Sequence, residues 1–197
     1  MAKHRIKLMD KTIIDDITYL PKWLSEQQAD TAYQALSREL AWHQGDVFIF
    51  GKWHKIPRLQ AFHGEPNLNY RYSGKWLAPE PWTPALAYMR ERLFQIGFQP
   101  NVVLANWYRD GNDKMGWHRD NEPELGSEPV ILSISLGATR DFDLRNRTTK
   151  ETRRVALEHG SLLIMQGSSQ IDWEHQLPAR KRCTEGRINL TFRTIVR

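Results

Sequence analysis

Seven runs rich in β-branched and aromatic residues recur along this chain: VFIFGKW, NYRYSGKW, NVVLANWY, VILSISLG, DFDLRN, RRVALEHGSLLIMQG and INLTFRTIV. Such residues suit a pleated surface, and the Gly, Asn and Pro between them turn a chain, so these runs read as strands. Helical periodicity marks two stretches. Ser25 followed by Gln28 is a helix-start signature, and Ala29, Ala32, Tyr33, Leu36 and Leu40 then recur at helical spacing. Pro84 opens a second stretch reaching about Ile96, with Leu86, Met89 and Leu93 on one face. Many strands, with helices gathered on the N-terminal side, predict an α+β protein built on a β-sandwich or open barrel.

The 197 residues suit a single domain over 1–197, and eight tryptophans among them favour a packed core. One cysteine, Cys183, rules out an internal disulfide framework and a cysteine-held metal, so any metal must sit on histidine and carboxylate. The start, MAKHRIKLMDKTIIDD, has no apolar signal-peptide core, and no stretch approaches the roughly eighteen apolar residues of a membrane span. The expectation is a reducing cytoplasmic location, with no membrane partner. A formal net charge of +5 tolerates a polyanionic partner without requiring one.

Two motifs carry chemistry. In MGWHRDNE, His118 and Asp120 stand two apart, which in a strand puts both on one face; His175, in DWEHQLP, is the natural third ligand. Two histidines and one carboxylate form the facial triad that leaves positions open on non-haem Fe(II). Twelve residues after His175, RINLTFR alternates Arg187, Asn189, Thr191 and Arg193 with Ile188, Leu190 and Phe192, a polar-in, apolar-out strand. Guanidinium binds carboxylate bidentately, so this face suits a dicarboxylate. Upstream, Asn106 and Tyr108 in NWYRDG offer neutral donors for its other end.

NxYxxG, HxD, a distant His and RxNxTFR, in that order across roughly residues 48 to 193, resemble the AlkB family of 2-oxoglutarate dioxygenases. The resemblance implies a double-stranded β-helix, or jelly roll, at about 101–197, preceded over about 1–100 by N-terminal helices and a nucleotide-recognition lid of β-hairpins. It implies Fe(II) on His118, Asp120 and His175, with O2 and 2-oxoglutarate as cosubstrates. Arg193 is expected to pair with the distal carboxylate, Asn106 and Tyr108 to hydrogen-bond it, Thr191 to line the pocket and Arg187 to support that end of the site.

Three further segments resemble the branch of the family that repairs duplex DNA. In IFGKWHKIPR, Phe50, beside Gly51, would be a wedge filling the gap left by a flipped base. In NYRYSG, Tyr70 and Tyr72 would bracket the damaged base. In HRDNE, Glu122 would read its exocyclic group and Asn121 lie against it. Arg58, Lys52, Lys55, Arg109, Arg119 and the run ARKR from Ala179 to Arg182 are candidate phosphate contacts. The expected function is oxidative removal of methyl groups from N1-methyladenine and N3-methylcytosine, releasing formaldehyde, by a monomer acting on duplex DNA, at the nucleoid of a bacterium or in the nucleus of a eukaryote. The alternatives are the same chemistry on RNA or single-stranded DNA, and a non-catalytic nucleic-acid-binding module.

Overall fold

The structure is a computed structural model that describes residues 11–14, 16–49, 51–68, 70–72 and 75–196. In chain order its elements are β1 (Lys11–Ile14), β2 (Ile17–Leu20), α1 (Glu26–Glu39), β3 (Asp46–Ile49), β4 (Lys52–Lys55), β5 (Leu59–Gly64), β6 (Tyr70–Tyr72), β7 (Lys75–Leu77) and α2 (Pro84–Phe94). There follow β8 (Val102–Tyr108), β9 (Met115–His118), β10 (Ile131–Gly137), β11 (Arg140–Asn146), β12 (Thr152–Leu157), β13 (Ser161–Met165), the short α3 (Ser169–Asp172), β14 (Trp173–Leu177) and β15 (Arg187–Arg193). A large sheet takes the order β1-β2-β13-β10-β15-β8-β5, and a small one the order β12-β11-β14-β9. Two hairpins, β3-β4 and β6-β7, pair with neither. Two antiparallel sheets with helices to one side are the expected α+β jelly roll.

Both helices form where the sequence marks them. The Ser25 hydroxyl accepts from the Gln28 amide while the Gln28 side chain accepts from the Ser25 amide, and Thr83 caps α2 ahead of Pro84. Leu36, Leu86, Met89 and Leu93 are sealed against Val103, Ala105, Leu132, Ile134, Ile188 and Leu190 of the large sheet. A second core, containing Leu104, Phe142, Leu144, Leu163 and Leu177, lies between the sheets. The large sheet is therefore buried on both faces, and the apolar side of β15 meets helices rather than solvent.

The run RRVALEHGSLLIMQG supplies two strands, β12 of the small sheet and β13 of the large one. Gly160 makes the crossing at φ +75°, and a Cβ there would lie 3.1 Å from the Leu24 carbonyl oxygen. The large sheet is not confined to residues after about 100, because β2 pairs with β13 and β5 with β8, and β1 extends the sheet from β2. No helix among the described residues is long and apolar enough to cross a membrane.

Candidate metal and cosubstrate site

The site opens where the inner faces of the two sheets converge. Strand alternation turns Asn106 and Tyr108 of β8, Ser133 of β10, and Arg187, Asn189, Thr191 and Arg193 of β15 into one cavity. From the opposite sheet come Met115, His118, Phe142, His175 and Leu177, with Asp120 just beyond β9. The premise that HxD lies wholly in a strand is thus corrected. β9 ends at His118, and the chain leaves the strand before Asp120. His175 faces His118 across the β9-β14 pairing, and Arg193 and Gln170 hold Asp120 beside them.

His118 Nε2 and His175 Nε2 are 3.1 Å apart, and the Asp120 Oδ2 is 3.7 Å from the latter. His118 Nδ1 lies 2.8 Å from the Gly116 carbonyl oxygen, so a proton there is donated to that carbonyl and Nε2 keeps its lone pair. Burial, with His118 alongside, holds the His175 pKa at about 3, and burial also lowers that of His118. Both rings are neutral at neutral pH, the form that binds a metal. Burial opposes ionisation of Asp120, yet Arg193 and the two imidazoles hold its pKa at about 2. Arg193 Nη2 is 2.6 Å from Asp120 Oδ1, and the Asp120 amide donates to Gln170 Oε1 at 3.0 Å.

At the other end of the cavity, Arg187 is 1% exposed. Its Nη2 donates to Ser135 Oγ at 2.8 Å, and its guanidinium lies 5.4 Å from the Tyr108 ring centroid. Asn189 Nδ2 donates to Ser133 Oγ at 2.8 Å, and Thr191 donates to Asn189 Oδ1. Arg193 thus stands beside Asp120, and Arg187 lines the cavity away from it.

Residues 16–193 match the 2OG-Fe(II) oxygenase superfamily. The chain is 43% identical over 181 residues to mouse DNA oxidative demethylase ALKBH2, covering 86% of this chain and 76% of that protein. It is 37% identical over 198 residues to bovine alpha-ketoglutarate-dependent dioxygenase alkB homolog 3, covering 95% of this chain and 68% of that protein. The chain belongs to the AlkB family of 2OG-Fe(II) oxygenases. A solved structure titled "The structure of OsALKBH1" superposes with a TM-score of 0.64 at 21% identity, covering 94% of this chain and 99% of that one, which supports the fold.

The residues of this AlkB-family oxygenase fit the groups its family uses. Two metal–nitrogen bonds of about 2.1 Å meeting at a right angle hold their nitrogens about 3 Å apart, which the two imidazoles already satisfy. His118, Asp120 and His175 are also the group of potential metal ligands that clusters among the described residues. At the far end, Arg187 Nε is buried without a hydrogen-bond partner among the described residues, a donor that a carboxylate would satisfy.

The lid expectations divide. Gly51 sits exposed in the β3-β4 turn at φ +76°, with nothing within 4 Å of where a Cβ would stand, while Phe50 lies outside the described residues. Tyr70 and Tyr72 take alternate positions of β6, in register with Leu77 and Lys75; the expectation for their rings falls outside the described residues. Asn121 is exposed and Glu122 half-buried ahead of a short turn at Pro123–Leu125.

Arg58 is corrected as a phosphate contact. It is 6% exposed and donates from Nε to Asn106 Oδ1 at 2.8 Å, behind the cosubstrate cavity rather than on the surface. Arg109 and Arg180 are engaged by Asp113 and Asp141, whereas Lys181 and Arg182 are exposed. Ser133, Ser135 and Gln170 were not anticipated. The serines had a signal, two hydroxyls spaced by two in the otherwise apolar ILSISLG, but Gln170 reaches Asp120 only through the tertiary fold.

Proposed function

We propose that this protein repairs alkylated DNA by oxidising the alkyl carbon on a base nitrogen, removing methyl groups from N1-methyladenine and N3-methylcytosine as formaldehyde. The observation that carries this reading is the 43% identity to a DNA oxidative demethylase across 86% of the chain. A buried histidine–carboxylate cluster opening on an arginine-lined cavity supports it.

His118, Asp120 and His175 would hold Fe(II), which with oxygen and 2-oxoglutarate supplies a one-oxygen oxidation of the alkyl C–H bond, leaving succinate and carbon dioxide. Arg187, supported by Ser135 and flanked by Tyr108, receives the distal carboxylate of 2-oxoglutarate; Asn106 and Thr191 line its path. Arg193 balances the charge of Asp120 and stands beside the metal end of the cosubstrate. The hydroxylated methyl group then leaves as its C–N bond breaks: the carbon departs as formaldehyde, and the electron pair returns to the ring nitrogen.

Duplex DNA is the substrate we assign. The β3-β4 hairpin, joined to neither sheet, with β4 exposed and Gly51 in its turn, supports a finger that enters the base stack. Tyr70, Tyr72, Asn121 and Glu122 are the residues we assign to the flipped base. Flipping costs a few kcal/mol in intact duplex and less at a lesion that cannot pair, which favours methylated positions on the pairing edge.

The test is incubation of the Fe(II)-loaded protein with 2-oxoglutarate, ascorbate, oxygen and oligonucleotides carrying one N1-methyladenine, as duplex DNA, single-stranded DNA and RNA. Loss of the methyl group with formaldehyde release, absent in His175→Ala, is the expected result. Succinate formation without demethylation of any strand would sink the DNA reading and leave the oxygenase. Phe50→Ala should cut turnover on duplex while sparing single strands; equal loss on both would remove the finger from the account.

A further inference from the structure

Arg140 opens β11 and, like Arg187, is 1% exposed, so two arginine side chains are fully enclosed near one another. Arg187 faces the cosubstrate cavity, while Arg140 stands behind it. Among the described residues, the hydrogen bonds of Arg140 all go to main-chain carbonyls. Its Nη1 donates to Asp110 at 3.0 Å, and its Nη2 to Asp113 at 2.9 Å and Pro178 at 2.8 Å.

Those carbonyls belong to two different loops, the one between β8 and β9 and the one between β14 and β15. The same loops are joined by their backbones at Gly111, whose amide donates to the Cys183 carbonyl at 2.8 Å and whose carbonyl accepts from the Arg180 amide at 2.7 Å. A Cβ on Gly111 would stand 1.8 Å from the Arg180 carbonyl oxygen, so the glycine of NxYxxG is needed for close approach.

The clamp lies where cosubstrate residues end their strands. Tyr108 closes β8 and Arg187 begins β15, directly opposite each other in the sheet register. The Tyr108 ring sits 6.0 Å from the Arg140 guanidinium and 5.4 Å from that of Arg187, both within reach of a cation–π contact. Slack in either loop would therefore move the phenol and the guanidinium assigned to the distal carboxylate.

We propose that Arg140 is a positioning residue for 2-oxoglutarate: by fastening the two loops together and bracing Tyr108, it sets the spacing between Tyr108 and Arg187. The inference rests on 2-oxoglutarate occupying this cavity. Arg140 touches neither cosubstrate nor metal and acts through Tyr108 and the loops. Lysine keeps the charge but lacks the planar fork that reaches three carbonyls at once.

The experiment measures 2-oxoglutarate binding to Mn(II)-loaded wild type and Arg140→Lys by calorimetry, alongside KM, kcat and Tm. The expected result is a Kd and KM for 2-oxoglutarate raised about tenfold, as for loss of a residue that orients a ligand-holding group, with Mn(II) affinity within about twofold of wild type. A lower Tm with unchanged Kd and KM would make Arg140 a structural clamp and overturn the proposal. In wild type, which does not depend on the variant folding, 2-oxoglutarate should slow hydrogen exchange at the Gly111 and Arg180 amides; unchanged exchange would also overturn it. Failure of Mn(II)-loaded wild type to bind 2-oxoglutarate would remove the cosubstrate reading together with the proposal, whereas wild-type binding that Arg140→Lys matches removes the proposal alone.

Discussion

Burial at 2% exposure pushes a carboxyl group toward its neutral form, yet Asp120 keeps a pKa of about 2 because Arg193 donates to it and because the charge of Arg193 and the electrostatics of His175 and His118 favour the carboxylate. Asp120 is thus ionised at neutral pH, the form in which a carboxylate ligates a metal. Arg187 is the counterpart at the far end, where burial lowers its pKa to about 10 and leaves it protonated at neutral pH. Replacing it by Lys should raise KM for 2-oxoglutarate by about 10- to 100-fold, since charged hydrogen bonds are worth about 1.5–3 kcal/mol; an unchanged KM would refute its assignment. Away from the site, burial raises the pKa of Asp113, but the side-chain and backbone donors of Arg109 outweigh it and hold the pKa below the ordinary value. A depressed folded-state pKa means stability that is present above the unfolded value of about 3.9 and lost as pH falls through the folded one. Tm should therefore fall more steeply below about pH 4 in wild type than in Asp113→Asn, and parallel curves would contradict this.

At the scale of elements, β15 carries both jobs of the molecule on alternate residues. Arg187, Asn189, Thr191 and Arg193 face the cavity, while Ile188, Leu190 and Phe192 lie under the helices. The two faces are separable by mutation. Leu93 of α2 is fully buried on the helix side, so Leu93→Ala should cost about 2–5 kcal/mol of stability, read by denaturant titration, with metal affinity unchanged. A matching loss of metal affinity would mean that the helix layer shapes the site directly. The pattern of β15 was legible in RINLTFR because strand periodicity is local. That its apolar side would be covered by helices was not, since a half-exposed strand and a fully covered one can share the same alternation.

At the scale of the whole molecule, the three metal ligands come from β9, the loop after it and β14, with Asp120 tied back to the large sheet through Arg193 of β15. Metal binding should therefore stabilise both sheets as one unit. Mn(II) at about a hundredfold above its Kd should add about 2.7 kcal/mol, read as a rise in Tm that a chelator reverses and His118→Ala abolishes; a rise that persists in the variant would point to metal bound elsewhere. By itself, the sequence determined the two helices with their caps, most strands, the alternation of β8 and β15 and the three ligands, because capping, periodicity and spacing are properties of neighbours along the chain. The tertiary structure alone decided that β12 and β13 part into different sheets and that β5 joins the strands of the later half. It also decided that Arg58 turns inward to Asn106 and that Arg193 pairs with Asp120. Each of these depends on which residues meet across long stretches of intervening chain, and buried charge settles only where the folded partners can satisfy it.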